Sequence, residues 1–283
     1  MNKFIETIIE KSIILIAFST VAVLFLIAFF IFKEGIPFLA QYGLPGFLTG
    51  STWLPGEDKF GILPMIIGSI YVTLGALIVG VPLGVGSAIF LVEFANKRIR
   101  NIIKPAIELL AGIPSVVYGF IGIMVLAPWV RINFGGSGLS ILTASIVLGI
   151  MILPTIISIT MDSLTALPSV YKEGSIALGA TTWQTVIMVL LPGAKSGILA
   201  GIILGMGRAI GETMAVIMIT GNAIRIPTSL YDSVRTMTSN IALEMGYALG
   251  IHRSALFANA VVLFGFIMIL NTIAILIINK RSK

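Results

Sequence analysis

The chain has 283 residues, of which 57% are hydrophobic and only 11% are charged, and its formal net charge is +6. A soluble domain carries about 25% charged residues, so this chain has too few charges to cover a surface that faces water. We therefore predict an integral membrane protein. The absence of cysteine and the single histidine exclude disulfides, thiolate nucleophiles and cysteine or histidine metal clusters. We expect that histidine, His252, to be a solvated loop residue.

The apolar runs predict an all-α protein with six membrane-crossing helices, because about 20 apolar residues span the hydrocarbon core. The predicted helices cover residues 12–32, 61–92, 109–128, 139–161, 197–219 and 254–279. No small-residue cleavage site follows the first run, so we interpret it as a retained helix and not as a signal peptide. We predict one transmembrane domain over the whole chain, 1–283.

The distribution of lysine and arginine predicts the orientation of these helices. If the N-terminus lies inside, the inner segments hold 11 of these residues and the outer loops hold 6, while Arg208 lies within a helix. Cytoplasmic loops carry an excess of such residues. We therefore predict a multi-pass protein of the cell membrane with both termini in the cytoplasm, and no nucleic acid as a partner. The outer loop 220–253 predicts an amphipathic segment around 229–249, on the membrane surface or against a partner.

The sequence also lacks the common motifs of catalysis. It contains no Gly-Lys dipeptide and hence no phosphate-binding loop of the Walker type, and it has neither H-E-x-x-H nor G-x-S-x-G. We therefore predict that the chain does not hydrolyse ATP itself, and that it holds no catalytic residue, no metal and no cofactor.

The inner segment 164–192, called the coupling loop below, has a specific spacing. Glu173-Gly174-Ser175 is followed after three residues by Gly179, and after nine more by Val189 and then Leu191-Pro192. This spacing resembles the EAA loop of importer-type ABC permeases, with Gly174, Ser175 and Val189 replacing two alanines and an isoleucine. The resemblance implies that a short helix here docks on a separate ATPase subunit; the alternative is an ordinary amphipathic connector. The docking residues are predicted to be Glu173, Ala177, Gly179, Ala180, Leu191 and Pro192.

Further motifs cover most of the chain. They are Trp53-Leu54-Pro55, Pro114-Ser115-Val116-Val117-Tyr118-Gly119 and Arg208-Ala209-Ile210-Gly211-Glu212-Thr213. Together they resemble the PstC-type permease subunits of bacterial phosphate ABC importers. The resemblance implies half of a translocation pathway that works by alternating access in the lipid membrane. It also implies three partners: a second, PstA-like permease subunit, a PstB-like ATP-binding subunit dimer and a PstS-like extracytoplasmic phosphate-binding protein.

The predicted fifth helix carries the candidate substrate residues. At 100° per residue, Gly197, Gly201, Gly205, Arg208 and Glu212 fall within an arc of about 80°, and glycines at this spacing let two helices approach closely. An arginine in mid-membrane costs about 2.5–3.5 kcal/mol, which favours a function. We therefore predict that Arg208 and Glu212 belong to the substrate pathway. The alternative is a structural ion pair between these two residues.

Three other interpretations remain open from the sequence. The first is a permease for another oxyanion, such as sulfate, molybdate or tungstate. The second is an intramembrane enzyme, which the lack of cysteine and of buried histidine disfavours. The third is a structural scaffold. Glu93 and Glu108 lie among basic residues near the inner ends of helices, which favours a structural role for both.

Overall fold

The computed structural model describes residues 3–281, so Lys283 of the charge count and both ends of the predicted domain 1–283 lie outside it. Within the described range the chain is mostly helical. The helices are α1 (Lys3–Tyr42), α2 (Leu44–Thr49), α3 (Leu63–Ile89), α4 (Lys97–Gly112), α5 (Ser115–Ile121), α6 (Ala127–Phe134), α7 (Ile141–Thr165), α8 (Ser169–Ala177), α9 (Thr182–Thr185), α10 (Leu191–Gly211), α11 (Met214–Ile219), α12 (Met237–Glu244) and α13 (Gly250–Arg281). A short antiparallel hairpin pairs β1 (Trp53–Leu54) with β2 (Lys59–Phe60).

Six helical stretches of the described residues are long and apolar enough to cross a membrane, which confirms the predicted count and the all-α class. They are Ile9–Tyr42, Leu63–Phe94, Ser115–Phe134, Ile141–Thr165, Thr182–Gly211 and Gly250–Ile273. Wider π-type turns form part of three of these stretches: one ends the second stretch after α3, and two join neighbouring helices in the third and fifth. These turns are Phe90–Phe94, Gly122–Leu126 and Val186–Leu190.

Two of the predicted helices are interrupted in the structure. The predicted helix 109–128 is divided, because α4 ends at Gly112 and α5 begins after Pro114. The residue before a proline is disfavoured in a helix, and Ile113 is indeed extended, with ψ of 127°. The predicted helix 197–219 is also interrupted: the fifth stretch runs from Thr182 to Gly211, and α11 is a separate helix.

Helix α7 lies at the centre of the molecule and packs against α3 on one side and α10 on the other. Glycines allow both approaches. A Cβ at Gly80 of α3 would lie 2.8 Å from Ile152, and one at Gly201 of α10 would lie 3.2 Å from Ile159. A Cβ at Gly205 of α10 would likewise lie 3.1 Å from the Ile156 side chain of α7. The glycine face predicted for the fifth helix therefore meets protein.

The hairpin and α12 lie at one end of the bundle, called the hairpin end, and α8 and α9 lie at the other, called the loop end. The predicted amphipathic segment around 229–249 is buried only in part: its ends are exposed, with Leu230 57% and Leu249 82% exposed, but its middle is not on the surface. Helix α12 is packed against α3, α11 and α13, and Met237 to Asn240 are buried. Its hydroxyl groups are satisfied locally, since Thr236 accepts a hydrogen bond from the Ser239 N–H, and this is why a polar segment can be buried here.

Candidate translocation and coupling sites

Helix α10 ends one residue before Glu212, the second of the two predicted substrate residues. It stops at Gly211, and the Glu212 backbone is extended, with φ of −67° and ψ of 130°. Because the φ of Glu212 is still helical, its Cβ lies about one turn beyond that of Arg208, and the chain leaves the helix only after it. Glu212 stands in the break between α10 and α11.

Hydrogen bonds stabilise this break. The Glu212 Oε1 accepts the Ala215 N–H at 3.1 Å and so satisfies a free donor in the first turn of α11. The Thr238 Oγ1 of α12 donates to the Glu212 carbonyl at 2.9 Å. Because its side chain is bonded to the backbone ahead of it, Glu212 acts as the cap of α11.

Arg208 has no counter-ion in the part of the chain that the structure describes. Its side chain is half-buried, and no carboxylate oxygen of the side chains that the structure describes lies within 4.0 Å of the guanidinium. The predicted alternative, an ion pair with Glu212, is therefore absent.

Tyr118 is a hydrogen-bonded residue that the substrate prediction did not include. The Tyr118 hydroxyl donates to the Leu110 carbonyl at 2.8 Å, which joins α5 to the end of α4 across Pro114. The signal in the sequence was the motif from Pro114 to Gly119, which we interpreted only as a family resemblance. This hydrogen bond ties the end of α4 to the start of the third span.

A buried carboxylate collects three donors at the hairpin end. Glu244 binds Arg235 Nη1 at 2.6 Å, Trp53 Nε1 at 2.8 Å and His252 Nε2 at 2.8 Å, and its side chain is only 7% exposed. His252 is 13% exposed, so the prediction of a solvated loop histidine is wrong. A buried carboxylate needs such partners, because desolvation otherwise costs several kcal/mol. Trp53 and Glu244 are 191 residues apart, so no local pattern could reveal the contact.

This network also holds the segment that meets the break. Arg235 Nε donates to the Asn222 carbonyl at 3.1 Å, and Arg235 Nη1 donates to Asn240 Oδ1 at 3.1 Å. Both contacts fix the start of α12, whose Thr238 bonds Glu212. The network is therefore connected, through α12, to the neighbourhood of Arg208.

The remainder of the second outer loop is ordered by Asp232. Its Oδ2 accepts the backbone N–H groups of Thr228 and Ser229 at 2.8 and 3.0 Å, and its Oδ1 pairs with Arg225 at 3.0 Å. These hydrogen bonds favour the ionised form and lower the pKa of the Asp232 carboxyl below its ordinary value. The Ile141 N–H at the start of α7 in turn donates to the Asp232 carbonyl at 3.1 Å.

The coupling loop folds into α8 and α9 at the loop end. Of the predicted docking residues, Glu173, Ala177, Gly179 and Pro192 are exposed, while Ala180 and Leu191 are half-buried. Gly179 ends α8 in a left-handed conformation, with φ of +86°, and its N–H donates to the Ile176 carbonyl at 2.9 Å. Glycine is favoured at this position for that conformation, the usual helix ending.

The surface around these residues is apolar and unoccupied by the rest of the described chain. Leu178 is 91% exposed and Val170 and Met188 are each 71% exposed. These side chains border a cleft of about 610 Å³ that Gly174 and Gly179 also line. Exposed apolar groups gathered around a cleft indicate a protein interface.

Comparison with known proteins identifies the family. Residues 80–283 match the family described as binding-protein-dependent transport system inner membrane component. The chain is 47% identical over 204 residues to the probable ABC transporter permease protein YqgH of Bacillus subtilis, covering 71% of this chain and 66% of that protein. It is 40% identical to the phosphate transport system permease protein PstC of Mesorhizobium japonicum, covering 83% and 78%. The probable PstC of Methanocaldococcus jannaschii is 33% identical, covering 97% and 95%.

Solved structures show the same fold at low sequence identity. A chain of the MetNI methionine ABC transporter, in an inward-facing conformation, matches with a TM-score of 0.59 and 19% identity over 79% of this chain and 95% of that chain. A chain of a bacterial ABC transporter for alginate matches with a TM-score of 0.60 and 14% identity over 92% and 94%. The chain therefore belongs to the family of binding-protein-dependent transport system inner membrane components, and within that family it is a PstC-type permease.

Proposed function

We propose that the chain is one transmembrane subunit of an ATP-driven importer of inorganic phosphate, and that it forms half of the translocation pathway by alternating access. The PstC relatives, which match over most of the chain, support phosphate as the substrate. The observation that carries the proposal is Arg208, a half-buried guanidinium in a membrane-spanning stretch without a counter-ion among the side chains that the structure describes.

An unpaired arginine suits the transport of phosphate. An anion that leaves water needs compensating positive charge, because burying it alone is very costly. The guanidinium presents a planar fork of donors that matches two phosphate oxygens at once. We propose that Arg208 contacts the substrate during its passage. Glu212 then has an indirect part: its hydrogen bond to Ala215 maintains the break at the end of the arginine helix.

The coupling loop is the proposed docking surface for a separate ATP-binding subunit. Its exposed apolar side chains, including Leu178 and Met188, support this role. The predicted contacts are Glu173, Ala177, Gly179, Ala180, Leu191 and Pro192. ATP hydrolysis belongs to that partner, a PstB-like dimer, so this chain acts without catalytic residues, metal or cofactor of its own.

The full assembly contains two further proteins. We propose a PstA-like permease as the second half of the pathway and a PstS-like phosphate-binding protein at the hairpin end. This arrangement places the loop end in the cytoplasm, together with both termini, as the lysine and arginine distribution predicts. The basic helix α4, with Lys97, Arg98, Arg100 and Lys104, then also lies on the cytoplasmic side.

Uptake by the purified complex tests the proposal. The four proteins are reconstituted in liposomes, and ATP is supplied on the side of the membrane that carries the ATPase. Labelled phosphate is supplied together with the binding protein on the opposite side. We expect ATP-dependent uptake of phosphate that an excess of unlabelled phosphate suppresses and that sulfate, molybdate and tungstate leave unchanged. Uptake of labelled sulfate, molybdate or tungstate, without uptake of phosphate, would assign the permease to that anion.

A further inference from the structure

The loop end contains an ion pair that ties the coupling loop to a helix that is not next to it in sequence. Lys172 Nζ of α8 lies 2.7 Å from Glu93 Oε2, in the π turn that follows α3. The Glu93 side chain is 7% exposed, whereas that of Lys172 is 41% exposed. Because an unpaired buried carboxylate costs several kcal/mol, the two groups stay together when the loop is displaced.

A second contact joins the other half of the loop to the same turn. The Trp183 ring of α9 lies 6.2 Å from the Phe94 ring, centroid to centroid. The two halves of the loop are themselves joined, since the hydroxyls of Ser175 and Thr185 lie 3.0 Å apart. Both short helices of the loop are therefore attached to the end of α3 as well as to α7 and α10, the helices that flank them in sequence.

Helix α3 extends from this contact to the hairpin end, where it reaches the break beside Arg208. The Met237 N–H donates to Ser69 Oγ, near the start of α3, at 3.0 Å. The next residue, Thr238, donates to the Glu212 carbonyl at 2.9 Å. A chain of direct contacts therefore runs from Lys172 through α3 to Glu212.

We propose that the Glu93–Lys172 ion pair transmits the movement of the docked ATPase to α3, and that α3 carries this movement to the segment around Glu212. The inference rests on the proposed function, since it assumes a docked ATPase. Glu93 and Lys172 are positioning residues, which act through α3 and touch neither substrate nor nucleotide. In this proposal, movement of the loop end reaches the substrate region by two helices, α3 and α10, and not by α10 alone.

The number of phosphate ions transported per ATP hydrolysed measures this coupling. Lys172→Gln and Glu93→Gln each remove the ion pair, and Ser69→Ala removes the contact at the far end of α3. Coupling between two sites is typically worth 5- to 150-fold, so we expect each variant to lower the ratio about fivefold or more while ATP hydrolysis continues. The control is Lys104→Gln, which removes a charge at the same end. Lys104 is exposed and forms no ion pair with a side chain that the structure describes. The complex that carries Lys104→Gln should therefore transport the normal number of phosphate ions per ATP.

A purely structural ion pair gives a different result. Less complex would then assemble, or it would melt at a lower temperature, but the assembled complexes would transport with a normal ratio. That result for both Lys172→Gln and Glu93→Gln overturns the inference. The reversed pair, Glu93→Lys with Lys172→Glu, should recover the ratio that each single change lowers. Absence of phosphate uptake by the wild-type complex would instead contradict the proposed function, so the two failures are distinguishable.

Discussion

Arg208 is the residue on which the proposed substrate pathway depends most. We expect Arg208→Gln to lower phosphate uptake about 30-fold or more with assembly intact, because loss of one charged, hydrogen-bonded partner costs about 2–5 kcal/mol. Arg208→Lys should retain only part of the activity, since lysine keeps the charge but not the planar fork. Initial uptake rates in liposomes, normalised to assembled complex, give the comparison. Normal uptake by Arg208→Gln would leave only a structural role for this arginine.

Glu212 behaves differently if its main task is to cap α11. Glu212→Gln keeps an amide oxygen that can accept the Ala215 N–H, so we expect uptake to remain within about twofold of wild type. Glu212→Ala removes the cap, at a cost of about 1 kcal/mol, and should reduce both uptake and thermal stability. Uptake and melting temperature are measured together for the two variants.

The same pair of residues tests the ion-pair alternative that the sequence left open. If Arg208 and Glu212 merely neutralised each other, Arg208→Gln combined with Glu212→Gln would restore uptake. We expect the double variant to be as inactive as Arg208→Gln alone. Recovery would mean that the two groups meet in a state of the transport cycle that differs from this structure.

At the scale of elements, the apolar helices follow from composition, but their ends do not. Hydropathy locates six stretches because each must bury about 20 residues in lipid. It does not detect the division at Pro114 or the break after Gly211, because both depend on a few backbone dihedral angles and hydrogen bonds. Arg208 was predicted as a site residue from its cost in lipid. Tyr118 and the Glu244 network required the three-dimensional contacts.

Helix α12 depends on the Glu244 network for its position. We expect Glu244→Ala to lower the free energy of unfolding by about 3 kcal/mol, since it leaves Arg235 without its buried partner. The matched control is Glu57→Ala, which breaks the exposed pair with Lys59, in which both side chains are more than half exposed. That change should cost less than about 1 kcal/mol. Thermal unfolding in detergent compares the two, and equal losses would contradict the assigned importance of the network.

The coupling loop offers a clean test of docking at Gly179. A Cβ at this position meets no atom of the described chain within 4 Å, so only a partner can clash with a bulky residue. Any side chain is strained at φ of +86°, by about 1–2 kcal/mol, so Gly179→Ala controls for strain. We expect Gly179→Trp to abolish uptake and to release the ATPase from the membrane, while Gly179→Ala keeps most of both. Co-purification of the ATPase and uptake are measured, and equal defects would indicate strain and not docking.

At the scale of the whole molecule, the two ends have different compositions. At the loop end, helix α4 carries four cations, Lys97, Arg98, Arg100 and Lys104. None of them forms an ion pair with a side chain that the structure describes. At the hairpin end, two of the arginines are neutralised, since Arg235 binds Glu244 and Arg225 binds Asp232. The count of 11 lysine and arginine residues against 6 reflects this excess of cations at the loop end. It predicts that the loop end faces the cytoplasm.

Reporter fusions test this orientation, and the structure indicates where to place them. A fusion site should lie outside the helices. Positions such as Asn240, which is buried in α12, and Lys195, which lies within α10, are therefore unsuitable. Fusions after Asp58 and Ile226, both in outer loops of the prediction, should report an external location. Fusions after Ala166 and Gly179, at the two sides of α8, should report a cytoplasmic one. All four positions lie between helices long enough to insert independently, so each fusion follows the topology of the preceding spans. A reversed pattern would place the coupling loop outside the cell, where no ATPase could reach Glu173, and would overturn the proposed coupling together with the orientation.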